Sequence, residues 1–146
     1  MKHIQMDQLI PPLTGHEIIG MTGKSVLDLM IEAAYLLGCA GKYRDAETCF
    51  RSVLAIQPER VGAALGLGNV LLMQGRVKES EEAYEQVLEW DPSDPAARAF
   101  LGELYLCSGR MNEGREILES VYWDYPETEA GTWAWNLLQL SREIAS

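Results

Sequence analysis

Sliding the chain against itself by 34 residues superimposes Pro58 on Pro92 and Pro126, and Gly41 on Gly75 and Gly109. Coincidence at two independent positions marks three tandem units, each a supersecondary element that buries its apolar side on its neighbours. Within the units apolar residues recur at three and four, as in Leu67, Val70 and Leu71 and then Ala83, Tyr84, Val87 and Leu88. That is the spacing of one helix face, so each unit is predicted to be a pair of helices, A then B. The glycines fall between A and B, where a left-handed cap ends a helix, and the prolines close B. Asp94 before Pro95 reads as an N-cap with proline in the first turn, and Ser25 with Asp28 as a capping box. Helices are predicted near residues 25–40, 43–56, 60–74, 77–90, 94–108 and 111–124. A seventh near 129–144, with Trp133, Leu137, Leu138 and Ile144, is predicted to cover the third unit through Trp133 and Leu137, because the last pair would otherwise expose its outer side.

The domain map is an N-terminal extension over residues 1–24 and a repeat domain over 25–146, with repeats at about 27–60, 61–94 and 95–128 and the capping helix at 129–144. The extension carries Ile4, Leu9, Ile10, Leu13, Ile18 and Ile19 but is broken by Pro11, Pro12, Gly15, Gly20 and Gly23, which argues against one long helix. Two roles stay open for it, covering a groove of the array or joining a second copy. Of the 146 residues 47% are hydrophobic, enough for one packed domain. The longest apolar run falls far short of the roughly 18 residues of a membrane-spanning helix. No basic stretch followed by a hydrophobic one opens the chain, so neither membrane insertion nor a cleaved export signal is expected.

Formal charge is −10, and residues 79–129 hold 14 acids against Arg98, Arg110 and Arg115. Nucleic acid is therefore not an expected partner, since phosphate binding needs a concentrated positive surface. A solvated face is the ordinary reading of such a run, and docking of a basic partner the functional one. Cys39, Cys49 and Cys107 are odd in number and form no C-x-x-C, which implies neither a disulfide framework nor a zinc site and suits a reducing compartment. Cys39 and Cys107, at the ends of two A helices, are expected to be buried small hydrophobes. His3 and His16 have no metal-ligand spacing, so no metal and no cofactor are expected.

Catalytic signatures are equally absent. Gly23-Lys24-Ser25 ends like a phosphate-binding loop, but Ile18 stands where the first glycine belongs and no strand precedes it; helix initiation is the better reading. Gly66-x-Gly68 lies inside a helix with Leu71 in the third glycine's place, which suits close helix packing. No nucleophile, base and orienting group converge, so the chain is not expected to be an enzyme.

The repeat resembles the tetratricopeptide family. Unit two reads Ala64, Leu67, Gly68, Leu71, Gly75, Tyr84, Pro92; unit three Leu101, Gly102, Tyr105, Gly109, Leu118, Pro126; unit one Ala34, Gly41, Tyr43, Ala46, Phe50, Pro58. Ser80 and Gly114 replace the helix B alanine in units two and three. The implied fold is all-α, a right-handed superhelix of three tandem helix pairs plus a C-terminal capping helix. A narrower resemblance, carried by Gly41-Lys42-Tyr43 with Ala46 and Phe50, by Ala64-Leu65-Gly66-Leu67-Gly68, and by Phe100 with Glu103 and Gly109, is to the tetratricopeptide chaperones of bacterial type III secretion systems. It implies a cytoplasmic bacterial chaperone holding a translocator, needle or export component. A generic scaffold for protein assembly is the alternative, and homodimer and hetero-oligomer both stay open.

In such an array the A helices line the concave side, and residues at i, i+3, i+7 and i+10 share one face. The expected partner-binding groove comprises Ile31, Tyr35, Leu65, Asn69, Leu72, Met73, Phe100, Glu103 and Leu106. Met30, Ala34, Leu37, Leu67, Gly68, Leu71, Leu101, Gly102 and Tyr105 are expected to pack on the B helices. Family members that grip acidic tails use a clamp of Lys, Asn and Arg; Asn69 is the sole match, with Ile31, Ala96 and Phe100 where basic or amide groups would be needed. The expected ligand is an apolar stretch or an amphipathic helix with basic flanks.

Overall fold

The computed structural model describes residues 24–145, and all secondary structure in them is helical. Seven helices follow in order: α1 (Val26–Cys39), α2 (Tyr43–Ile56), α3 (Val61–Met73), α4 (Val77–Trp90), α5 (Pro95–Cys107), α6 (Met111–Asp124) and α7 (Glu129–Ala145). They form the right-handed superhelix of three pairs expected from the repeat, closed by α7. The two roles open to residues 1–24 fall, apart from Lys24, outside the described residues.

The helix boundaries follow from local chemistry. Gly41, Gly75 and Gly109 have φ of 78°, 76° and 85°, the left-handed conformation that only glycine adopts without strain. At each, the glycine N–H and the next residue's N–H donate back to the last turn of the A helix, Gly41 to Gly38 and Lys42 to Leu37, for example, and this pattern recurs in all three units. Ser25 and Asp28 cap each other's backbone N–H groups at the start of α1, while Asp94 accepts from the Ala97 N–H with Pro95 in the first turn of α5. Lys24 pairs with Glu32, so the residues that imitate a phosphate loop are occupied in starting a helix.

Close A–B approach depends on residues without side chains. A methyl at Gly68 would strike the Tyr84 ring, one at Gly66 the Phe50 ring, and one at Gly102 would stand 2.7 Å from Leu118 Cγ. Phe50, Tyr84 and Leu118 are fully buried, each contributing about 1.5–3 kcal/mol by leaving water. Ala34, Leu67, Leu71, Leu101 and Tyr105 are buried on the same faces, as expected of the packing side.

An ion-pair ladder repeats on the B helices. Arg76 joins Glu47 of α2 and Glu79 of its own helix, both at 2.6 Å; Arg110, 34 residues on, joins Glu81 at 3.0 Å and Glu113 at 2.6 Å. Arg110 also lies over the Tyr105 ring, 3.9 Å from its centroid. Partly exposed pairs of this kind contribute less than about 1 kcal/mol each, so the ladder fixes register more than stability. The next place in the series is Arg115, which instead donates to the Ser141 hydroxyl and carbonyl and ties α6 to α7.

Two expectations are corrected here. Trp133 does not cover the third unit: it is 42% exposed, and the cap is made by the buried Gly131, Ala134, Leu138 and Ser141, with Leu137 half-buried beside them. Trp133 is one residue from the buried Ala134, about 100° around the helix, and so points off the seam. Cys39 and Cys107 are exposed rather than buried, because the helix ends they occupy project beyond the B helices; Cys49 is half-buried against the first core cluster.

Candidate binding groove

Helices α1, α3, α5 and α7 stack side by side and form the inner wall. Near α1, the Tyr35 hydroxyl donates to the Gly62 carbonyl at 2.9 Å, and its ring meets Phe50 edge-on at 5.1 Å. Burial pushes the Tyr35 phenol up, so it is a neutral donor at physiological pH. Ile31 is half-buried in the first core cluster beside this seam.

At the centre, Asn69 Oδ1 accepts from the Tyr84 hydroxyl, and Tyr84 stacks on Phe100 with ring centroids 5.8 Å apart. The Asn69 side-chain carbonyl is therefore engaged within the fold. Phe100 is half-buried and forms, with Ala96, Ala99, Glu129, Ala130 and Trp133, an apolar cleft of about 370 Å³ between α5 and α7. Glu103 lies one turn below: burial pushes its carboxyl above the usual range, opposed by a hydrogen bond from the Trp133 indole.

The structure brings Tyr35, Asn69, Phe100 and Glu103 onto this wall but relocates others. Leu65 is buried at 7% in the second core cluster with Ala97, Leu101 and Leu104 of α5, so it is a core residue rather than a groove residue. Its register is covered by the following A helix, as the near-total burial of Ala99, 34 residues on, also shows. Leu106 leans over Gly114 of α6 and joins the third cluster, and Leu72 packs on the second; both are half-buried. Met73 is 61% exposed at the end of α3.

Trp133, Glu129 and Ala130 are the groove residues that sequence reasoning missed. The signal was the repeat itself: Ile31, Leu65 and Ala99 continue at the same interval to Trp133. Among the described residues no A helix follows α7, so the indole at this register is uncovered.

Two tetratricopeptide repeat profiles match the chain, over residues 31–95 and 71–126. No curated protein matches it in sequence. Among solved structures, the fold is similar to the Yersinia enterocolitica type III secretion chaperone SycD in complex with a peptide of the translocator YopD, at 19% identity, covering 82% of this chain and 95% of that one with a TM-score of 0.68. It is likewise similar to PcrH from Pseudomonas aeruginosa, at 18% identity over 80% and 91% with a TM-score of 0.70. A third likeness, at 16% identity over 82% and 94% with a TM-score of 0.68, is to the first tetratricopeptide domain of Spaghetti (RPAP3) bound to an HSP90 peptide, SRMEEVD. At these identities the likeness is one of fold. Repeat register, left-handed glycine caps and profile matches spanning residues 31–126 agree, and the chain belongs to the tetratricopeptide repeat family.

Proposed function

We propose that this chain is a binding module that holds an apolar segment or amphipathic helix of one exported or assembling partner in its concave groove, as a type III secretion chaperone in the bacterial cytoplasm. The observation that carries the reading is the cleft between α5 and α7, walled by Phe100, Trp133 and three alanines. Small side chains flanked by two aromatic rings receive a large apolar side chain and give it little else to pair with. The likeness to SycD, described in complex with a translocator peptide, supports the same role.

The HSP90-peptide complex of similar fold offers a second ligand class, an acidic tail. The residues speak against it. Positions 31, 35, 69, 96, 99, 100 and 103 carry no Lys or Arg, Asn69 is bound to Tyr84, and Glu103 and Glu129 would repel carboxylates. A segment with basic flanks suits the acidic half of the chain better. By the same argument the repeat domain is the functional unit, with the generic scaffold as the alternative to a dedicated chaperone.

Affinity capture from the native bacterium, with mass spectrometry, tests the reading. A single exported partner supports the chaperone, and several unrelated complexes support the scaffold. Phe100→Asp should release that partner while leaving helicity unchanged, because an uncompensated charge facing an apolar side chain costs several kcal/mol and each ~1.4 kcal/mol is tenfold in affinity. Leu101→Asp, at a buried position, should unfold the domain. Normal partner binding by folded Phe100→Asp protein would refute the groove.

A further inference from the structure

A helix that ends a repeat array ordinarily turns a polar side outward, because no further pair covers it. Here that side is aromatic. Tyr122 stacks on Trp135 with centroids 4.9 Å apart and meets Trp123 edge-on at 5.2 Å, while Trp123 is 75% and Trp135 40% exposed.

The repeat register tells what this patch faces. Trp135 corresponds to Leu67 and Leu101, and Gln139 to Leu71 and Tyr105. Those four residues are all buried on A helices that pack against the B helix of their own unit. By register α7 is the A helix of a fourth unit, and among the described residues no B helix follows it. Gln139 Nε2 is buried without a hydrogen-bond partner, the one such side-chain atom found among the described residues. A buried amide donor of this kind is costly until an acceptor reaches it. Asn136 replaces Gly68 and Gly102, whose missing side chains let Tyr84 and Leu118 press inward, so an occupant must sit farther out than a B helix of the same unit.

We propose that this terminal face docks one amphipathic helix of a partner protein, with basic flanks, in the place a fourth B helix would take. Residues 111–145 hold seven acids against Arg115 and Arg142, and Arg115 is engaged by Ser141, so the charge around the aromatic patch is negative. Exposed Trp and Tyr offer rigid apolar area and favourable faces for Lys and Arg, the residue types that dominate interface energetics. Trp133 and Trp135 are two residues apart on α7, about 200° around the helix, so the groove and this face point in different directions and can be filled together. The inference therefore stands independently of the groove's occupant.

The test uses the full chain and a synthetic 18-residue amphipathic helical peptide with a leucine face and lysine and arginine flanks, beside a twin with glutamate flanks. Calorimetry measures affinity and amide chemical shifts locate the site. The expected result is that the basic peptide perturbs Thr132, Trp135, Asn136 and Gln139, and that the double variant Trp123→Ser, Trp135→Ser weakens it at least tenfold with an unchanged melting temperature. Should the double variant lose stability, Trp123→Ser alone, at the more exposed ring, should still weaken binding several-fold. Phe100→Asp should bind the peptide as wild type does. The proposal is overturned if the peptide fails to bind at millimolar concentration, if its shifts map to Phe100 and Trp133, if the glutamate twin binds equally, or if the tryptophan variants bind normally. Sedimentation showing a wild-type dimer that the tryptophan substitutions dissolve would make the occupant a second copy and overturn it as well.

Discussion

Gly62 and Gly68 lie in the same helix, α3, and replacing each by alanine should move stability in opposite directions. Both substitutions remove backbone freedom from the unfolded chain and favour helix by roughly 0.5–1 kcal/mol. At Gly62 nothing opposes that gain: the nearest atom to the added methyl is Ile31 Cγ2 at 3.9 Å, an ordinary contact. At Gly68 the methyl would stand 2.7 Å from Tyr84 Cδ1 and 2.9 Å from Cζ, and closer still to Cε1. The ring has no room to yield, since Tyr84 is 0% exposed, bonded through its hydroxyl to Asn69 and stacked on Phe100. Overpacking of this kind costs about 1–3 kcal/mol, and a rigid ring places it at the upper end, which leaves a net loss of about 2 kcal/mol. At about 4 °C per kcal/mol, Gly68→Ala should lower the melting temperature by about 8 °C and Gly62→Ala raise it by about 2–4 °C. Thermal melts by circular dichroism at 222 nm, a wavelength chosen for helix content, read both values. A Gly68→Ala protein that melts at or above the wild-type temperature would refute the argument that the missing side chain sets the spacing of α3 and α4.

Leu65→Asp should unfold the domain rather than only abolish binding, because a carboxylate would be buried among Ala97, Leu101 and Leu104 at a cost of several kcal/mol; a folded variant by circular dichroism would contradict that burial. The Glu103 carboxyl is held above its unfolded value by burial, so its contribution is fully present below the unfolded value, about 4.3, and is lost as pH rises through the folded one. Glu103→Gln should accordingly melt higher than wild type at about pH 7, with the difference closing toward about pH 4; a difference independent of pH would exclude titration of this group as its source. Glu79 and Glu113 are held below the usual carboxylate range by hydrogen bonds from Arg76 and Arg110, so Arg110→Ala should raise the Glu113 titration midpoint seen by carboxyl NMR, and an unmoved midpoint would remove the ladder. Truncation after Pro126 uncovers Leu118 and Val121 and should cause aggregation or loss of a cooperative melt, whereas a monomeric chain with unchanged melting temperature would contradict the capping role of α7.

Helix ends were legible in the sequence because they are decided within a few residues. Gly41, Gly75 and Gly109 adopt a conformation closed to other residues, Ser25 and Asp94 carry their own acceptors, and neither effect depends on what packs nearby. The 34-residue interval then fixed the number of pairs and, with it, the superhelix. Which side of an A helix stays open was decided by the tertiary structure. Helix α3 touches α1, α2, α4 and α5, so residues 63–68 are buried almost all round and its apolar periodicity marks no single face. Leu65 therefore reads as a groove residue by spacing and is a core residue by contact. Trp133 shows the converse. Its register matches Leu65 and Ala99, but it is open because no A helix follows it among the described residues, and the same position in the helix is core or binding surface according to whether a neighbour covers it.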